Sequence, residues 1–238
     1  MANSTLSKSL SLTKSDLKIA IRRSESLLVT VVLPIVVLIG LSFSKGGLEK
    51  YLPFVFIQSC LASSLLSLGI STGFDRRYRV LVRLGTTPIG KKGIVISKII
   101  YVFVLETMQL VLIGAVGMAL GYKPSVTILL VFPFCWLASI AFSSIALIIA
   151  SNLKAETNLG VQNLTYFLFV AISAIALVSN VKSSEYLIFA KIFPSSALHY
   201  LIRYSFGLNS FSLTSFISLI VLGALLAYYA IQTFKFDE

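Results

Sequence analysis

Apolar residues run almost without interruption over 26–43, 51–73, 99–121, 126–150, 159–178 and 211–234, and short polar clusters separate the runs. Each run approaches or exceeds the roughly 20 helical residues that cross a bilayer. The first contains Pro34, which removes a backbone donor and kinks a helix. The second carries Gln58, Ser59, Ser63, Ser64 and Ser67, small polar residues that mark helix–helix contact. Gly114, Gly117 and Gly121 predict close packing for the third. Two apolar stretches between the fifth and sixth runs, 186–193 and 197–206, are too short to span and read as re-entrant or interfacial helices. The pattern predicts an all-α polytopic membrane protein with six transmembrane helices in one domain, 26–238, after a tail and interfacial helix over 1–25.

Residues 1–12 are Ser-rich and read as loose chain. Thr13-Lys14-Ser15-Asp16 reads as a helix start, with Thr13 as N-cap and an acid three residues on. Leu17, Ala20, Ile21 and Ser24 then share a face, surrounded by Lys14, Lys18, Arg22 and Arg23. Such asymmetry predicts a helix in the membrane interface that touches lipid head groups. No small-residue cleavage site follows the first apolar run, so a signal peptide fits poorly.

Composition agrees. Of 238 residues, 57% are hydrophobic and 12% charged, with a mean hydropathy of +0.93, against about 25% charged in soluble domains. The net charge of +11 does not point to nucleic acid, because the basic residues sit in short loops rather than on one continuous face. Six predicted spans put both termini on one side. Fourteen of the 20 Lys and Arg residues lie on that side with the 73–92 segment, and six on the other. The positive-inside rule places this segment and both termini in the cytoplasm of a cell-membrane protein. Cys60 and Cys135 each lie about nine residues into a span, read as small buried hydrophobes, and lack a second ligand at metal-binding spacing.

The 73–92 segment concentrates four arginines and two lysines between the second and third runs. Asp75 to Leu84 predicts a short amphipathic helix stopped by Gly85, with Leu81 and Leu84 on one face. Thr87 then caps a second helix with Pro88 at its first position, leading into the third span. The residues alone leave two partners open for the first helix, lipid head groups or a groove on another protein. Residues 85–92 match the phosphate-loop spacing until Lys92 replaces the Ser or Thr that holds magnesium, and no strand is predicted before them. A nucleotide site in this chain is therefore not expected.

The sequence Arg77-Tyr78-Arg79-Val80-Leu81-Val82-Arg83-Leu84-Gly85-Thr86-Thr87-Pro88 resembles the cytoplasmic signature of ABC-2 type transporter permeases, bacterial exporter membrane subunits of the daunorubicin-resistance type. Ile192-Phe193-Pro194, continuing to Arg203, is similar to that family's entry into the outer segment before the last span. Family members often carry a glutamate early in the signature; here the nearest acid is Asp75. The resemblance implies a dimerising permease, paired with a second copy or a different permease subunit, that exports substrate with a separate ABC ATPase. ATP and magnesium would reside on that ATPase, with no cofactor in this chain. It further implies that Asp75, Arg76, Arg77, Tyr78, Arg79, Leu81, Arg83 and Leu84, with Thr87 and Pro88, form the coupling element that enters a cleft of the ATPase. A lipid-linked or polysaccharide exporter, an integral membrane enzyme and a scaffold are the alternatives. No acid–base pair, metal cluster or activated nucleophile is evident for the enzyme.

Glu106 is the one carboxylate inside a predicted span, eight residues past Lys98 and about 12 Å deep. A group there faces the protein interior, pairs, or is protonated. With Gln109 on nearly the same face, it is a candidate substrate or proton contact or a structural hydrogen-bond partner. His199, the single histidine, has no companion metal ligand and reads as an interfacial anchor.

Overall fold

The computed structural model describes residues 2–22, 24–43, 47–178 and 191–236, and these are helical with short connections. Among the described residues ten α-helices follow in order: α1 Ala2–Arg22, α2 Ser24–Ser42, α3 Gly47–Leu61, α4 Leu68–Arg77, α5 Val80–Gly85, α6 Gly90–Ala119, α7 Val131–Asn152, α8 Ala155–Val178, α9 Pro194–Ser205 and α10 Leu213–Thr233. A wider π-helical turn, Ala62–Ser67, joins α3 to α4 into one rod, and a 3₁₀ turn, Val126–Leu130, leads into α7.

Five helical stretches among the described residues are long and apolar enough to cross a membrane: Leu48–Arg77, Gly90–Ala119, Val126–Asn152, Ala155–Ile175 and Leu213–Thr233. The first span expected from the sequence, 26–43, falls on α2, whose 19 residues rise about 28 Å. The expected stretch 186–193 lies mostly outside the described residues. By contrast, 197–206 falls largely within α9, which packs against α3, α7, α8 and α10.

Small polar residues of the α3–α4 rod are buried as expected: Ser59, Ser63 and Ser64 have no exposed surface. A Cβ on Gly69 or Gly73 would fall 2.2 Å from the side chains of Gln162 or Asn158. These two residues of α8 exploit the close approach, Asn158 donating to the Gly69 carbonyl at 2.9 Å and Gln162 to the Ala146 carbonyl at 2.9 Å. Of the three glycines expected to pack α6, only Gly117 does so, with its absent Cβ 3.2 Å from Leu52; Gly114 faces open space and Gly121 serves a turn at φ +98°.

Two apolar clusters result. The larger, built around Leu52, Ile57, Leu61, Phe142, Leu198 and Leu201, fills the middle and the end away from the basic segment. The smaller lies at the basic end and joins Leu68, Leu81, Ile94, Val95, Val102, Leu147 and Phe234.

The N-terminus departs from expectation. Helix α1 runs unbroken through the Ser-rich stretch, and Thr13 is inside it rather than capping it. Ser9 donates to the Gly93 carbonyl at 3.0 Å and Thr13 to the Ser97 carbonyl at 3.1 Å. The serine stripe is thus a packing face against α6, where small side chains let two backbones approach and hydroxyls satisfy carbonyls.

Candidate functional site

The basic segment is a folded corner, not one amphipathic helix. Asp75, Arg76 and Arg77 form the last turn of α4, and the chain then breaks at Tyr78–Arg79. Arg79 adopts the left-handed conformation (φ 58°, ψ 21°), which costs a non-glycine residue about 1 kcal/mol. That turn starts the six-residue α5, so the helix expected over 75–84 is split and re-aimed. Thr87 caps nothing: its hydroxyl donates back to the Leu84 carbonyl, and α6 begins later at Gly90, whose φ of +66° suits glycine.

This corner sorts the expected coupling residues into two sets. Asp75, Arg76 and Leu81 face inward. Leu81 is fully buried in the smaller cluster, and Leu84 is half-buried at its edge. The Arg76 guanidinium, 5% exposed, donates to the carbonyls of Ala150 and, at 3.1 Å, Leu153, tying α4 to the end of α7. Arg77, Tyr78, Arg79, Arg83, Thr87 and Pro88 face outward, and Arg77 pairs with Glu156 at the start of α8. Val80 and Val82, not singled out from the sequence, are exposed beside them. The outward set therefore forms a continuous basic and apolar surface resting on Leu81.

Asp75 leads to a buried cation whose role the sequence does not reveal. Lys98 of α6 is 4% exposed; its Nζ donates to Asp75 Oδ2 at 2.8 Å and lies 3.3 Å from Asp16 Oδ2 of α1. One ammonium thus joins α1, α4 and α6. Burial holds the Asp16 carboxyl above the usual carboxylate range; Lys98 pulls against this and the like charge of Asp75 adds to it. From the far end of the chain, Phe234 is buried in the smaller cluster and the Phe236 ring lies where a Cβ on Gly85 would meet it at 3.3 Å. Lys91 Nζ stands 5.9 Å from that ring's centre. The signals were present: three charged residues bordering spans, and a Phe-Lys-Phe ending.

Glu106 and Gln109 are both buried in the bundle but do not serve a common partner. Ser139 of α7 lies 2.9 and 2.8 Å from the two Glu106 carboxylate oxygens. Gln109 accepts from Ser59 at 2.8 Å and donates to the Thr30 carbonyl at 3.3 Å. His199 is corrected outright: α9 turns it into the protein, 1% exposed, with neither ring nitrogen hydrogen-bonded among the described residues. It is no head-group anchor. On α6 a groove of about 590 Å³, lined by Phe103, Val104, Thr107, Met108, Val111 and Trp136, opens on the outside of the bundle.

A bundle of apolar helices long enough to cross a membrane, with a folded basic corner between the Leu48–Arg77 and Gly90–Ala119 spans, defines a polytopic transport-type membrane domain. The chain belongs to the ABC-2 type transporter family, whose profile matches residues 8–206. It is an ABC transporter permease subunit, a membrane component rather than an enzyme in its own right. No curated protein matches it.

Proposed function

We propose that this permease moves a hydrophobic or amphipathic substrate outward across the cell membrane, driven by ATP hydrolysis in a separate ABC ATPase subunit. The basic end faces the cytoplasm, as the excess of Lys and Arg there favours. The ATPase, carrying ATP and magnesium, docks on the surface of Tyr78, Arg79, Val80, Val82 and Arg83. A second permease subunit completes the translocation path.

The observation that supports this most is the division of α5. Val82 and Arg83 are free to contact a partner, while Leu81 of the same short helix is locked into the cluster of α4, α6 and the C-terminal segment. A push on α5 is thereby passed to the spans. Lys98 holds α1 and α4 to the base of α6, so these elements move as one body.

The experiment is co-purification of the permease with an ABC ATPase subunit from its native membrane, with hydrolysis measured in lipid. Val82→Asp and Arg83→Asp should abolish association and substrate-stimulated hydrolysis while leaving the permease folded. Full association with both changes present overturns the reading.

A further inference from the structure

Three metal-ligating side chains from three helices meet inside the bundle, and the coupling surface makes no use of them. Cys60 of α3, Glu106 of α6 and Cys135 of α7 bring two thiol sulfurs and a carboxylate oxygen within 4.8 Å of one another. All three residues have no exposed surface, and both cysteines are free thiols. Ser139, one turn beyond Cys135, bonds the carboxylate and lies 3.3 Å from Cys60 Sγ. Among the described residues no Lys or Arg pairs with Glu106, so nothing in the bundle compensates its charge when ionised.

The backbone beside Cys60 is also unusual. The π-helical turn Ala62–Ser67 begins two residues on, and such turns concentrate at functional sites. The Cys60 carbonyl is taken up there by the hydroxyls of Ser63, at 3.0 Å, and Ser64.

We propose that Cys60, Cys135 and Glu106 form an intramembrane site for one thiophilic divalent cation of the zinc class, with Ser139 orienting the carboxylate. Zinc–sulfur bonds of about 2.3 Å place two sulfurs roughly 3.8 Å apart in a tetrahedral site, so side-chain rotation of about 1 Å closes the cluster on the ion. The two thiols lose their protons as the ion binds. Two positive charges enter as the two thiol protons leave, so with Glu106 already ionised the net charge is unchanged, and with Glu106 protonated beforehand a third proton leaves with them. The thiolates are the soft ligands that select zinc-class ions over magnesium or calcium. Occupied, the site clamps α3, α6 and α7 together. Because no ligand atom is exposed, the ion enters only when these helices part, and exchange is slow.

The chain has only these two cysteines, so any thiolate–metal signal reports this site. Reduced full-length protein in detergent, equilibrated with Cd²⁺ under nitrogen, should bind one ion per chain with a sulfur-to-cadmium absorption band. It should also resist thiol alkylation. Cys60→Ser or Cys135→Ser should weaken binding at least 100-fold and remove most of the band. Glu106→Gln should keep the band with binding weakened by more than the roughly 10- to 100-fold that loss of a ligand's outer-shell partner costs. Monodisperse elution and an unchanged helical spectrum certify each variant, and Cys60→Ala replaces any that fails. Absence of a saturable band, a band surviving the double Cys→Ser change, or formation of a Cys60–Cys135 disulfide in place of cadmium binding overturns the proposal.

Discussion

At the basic end, neighbouring helices are joined by charged groups acting on named atoms; at the opposite end they are joined by aromatic rings. Lys98 bridges Asp16 and Asp75, Arg76 holds the carbonyls of Ala150 and Leu153, and Arg77 meets Glu156. Away from that end Phe56 and Tyr122 pack on Phe206, with centroids 6.0 and 5.4 Å apart, and Tyr204 packs on Phe211 at 5.3 Å. Charge-assisted bonds are directional and fail when geometry shifts by an ångström or so. Ring contacts draw most of their energy from buried area, and their pair geometry adds only about 0.5–1.5 kcal/mol. The basic end is thereby the stiff one, and the docking surface proposed above lies on it; the ring-packed end is the more compliant.

The largest expected effect lies at the stiff end. Lys98→Met leaves Asp16 and Asp75 facing each other with little water, and breaking such a pair costs about 3–5 kcal/mol. A fall in the unfolding midpoint, together with protease access to α1, is the measurement. Little change would mean the three helices are held by the serine stripe and apolar cluster instead. Next is Leu81→Ala, at about 2–5 kcal/mol for a filled core position, set against Val82→Ala, within about 0.5 kcal/mol for an exposed one. Equal costs from adjacent residues would contradict the two-faced α5.

The helical spans were legible because their apolar runs are long and interrupted by charge. The corner was not. Asp75 to Leu84 has the composition of one helix, and only the left-handed Arg79 breaks it. No sequence rule prefers arginine there, so tertiary packing of Leu81 decides the turn. Helix α1 was misread for a related reason: Ser and Thr favour caps by local bonding, but here Ser9 and Thr13 bond to α6, 84 residues away. The cluster of Cys60, Glu106 and Cys135 is likewise invisible to spacing along the chain. Outward residues such as Arg83 were recognised by type, whereas the sorting of Arg76 inward required the neighbouring carbonyls.

At the compliant end, His199 offers a test in pH. Burial, aided by the Arg203 charge, pushes its pKa down to about 4, against an ordinary value near 6.5. The unfolded chain therefore takes up the proton first as pH falls through 6.5, and folded-state stability drops with it. The loss between pH 7 and 5 is about 2 kcal/mol. His199→Leu should flatten that part of the stability–pH curve. A variant whose acid sensitivity matches the parent would place the titration elsewhere.

The smallest expected effect separates charge at the surface from charge in the interior. Arg77 and Glu156 form an ion pair with side chains 46% and 68% exposed, and exposed pairs contribute about 0–1 kcal/mol. In a double-mutant cycle, Arg77→Ala and Glu156→Ala should couple by no more than that, and the coupling should shrink as salt rises. The same cycle on Lys98 and Asp75 should give a larger, salt-resistant coupling. If the outer pair instead proved the stronger, the rigidity of the basic end would come from its rim, and α8 rather than α1 would be the element that steadies the corner.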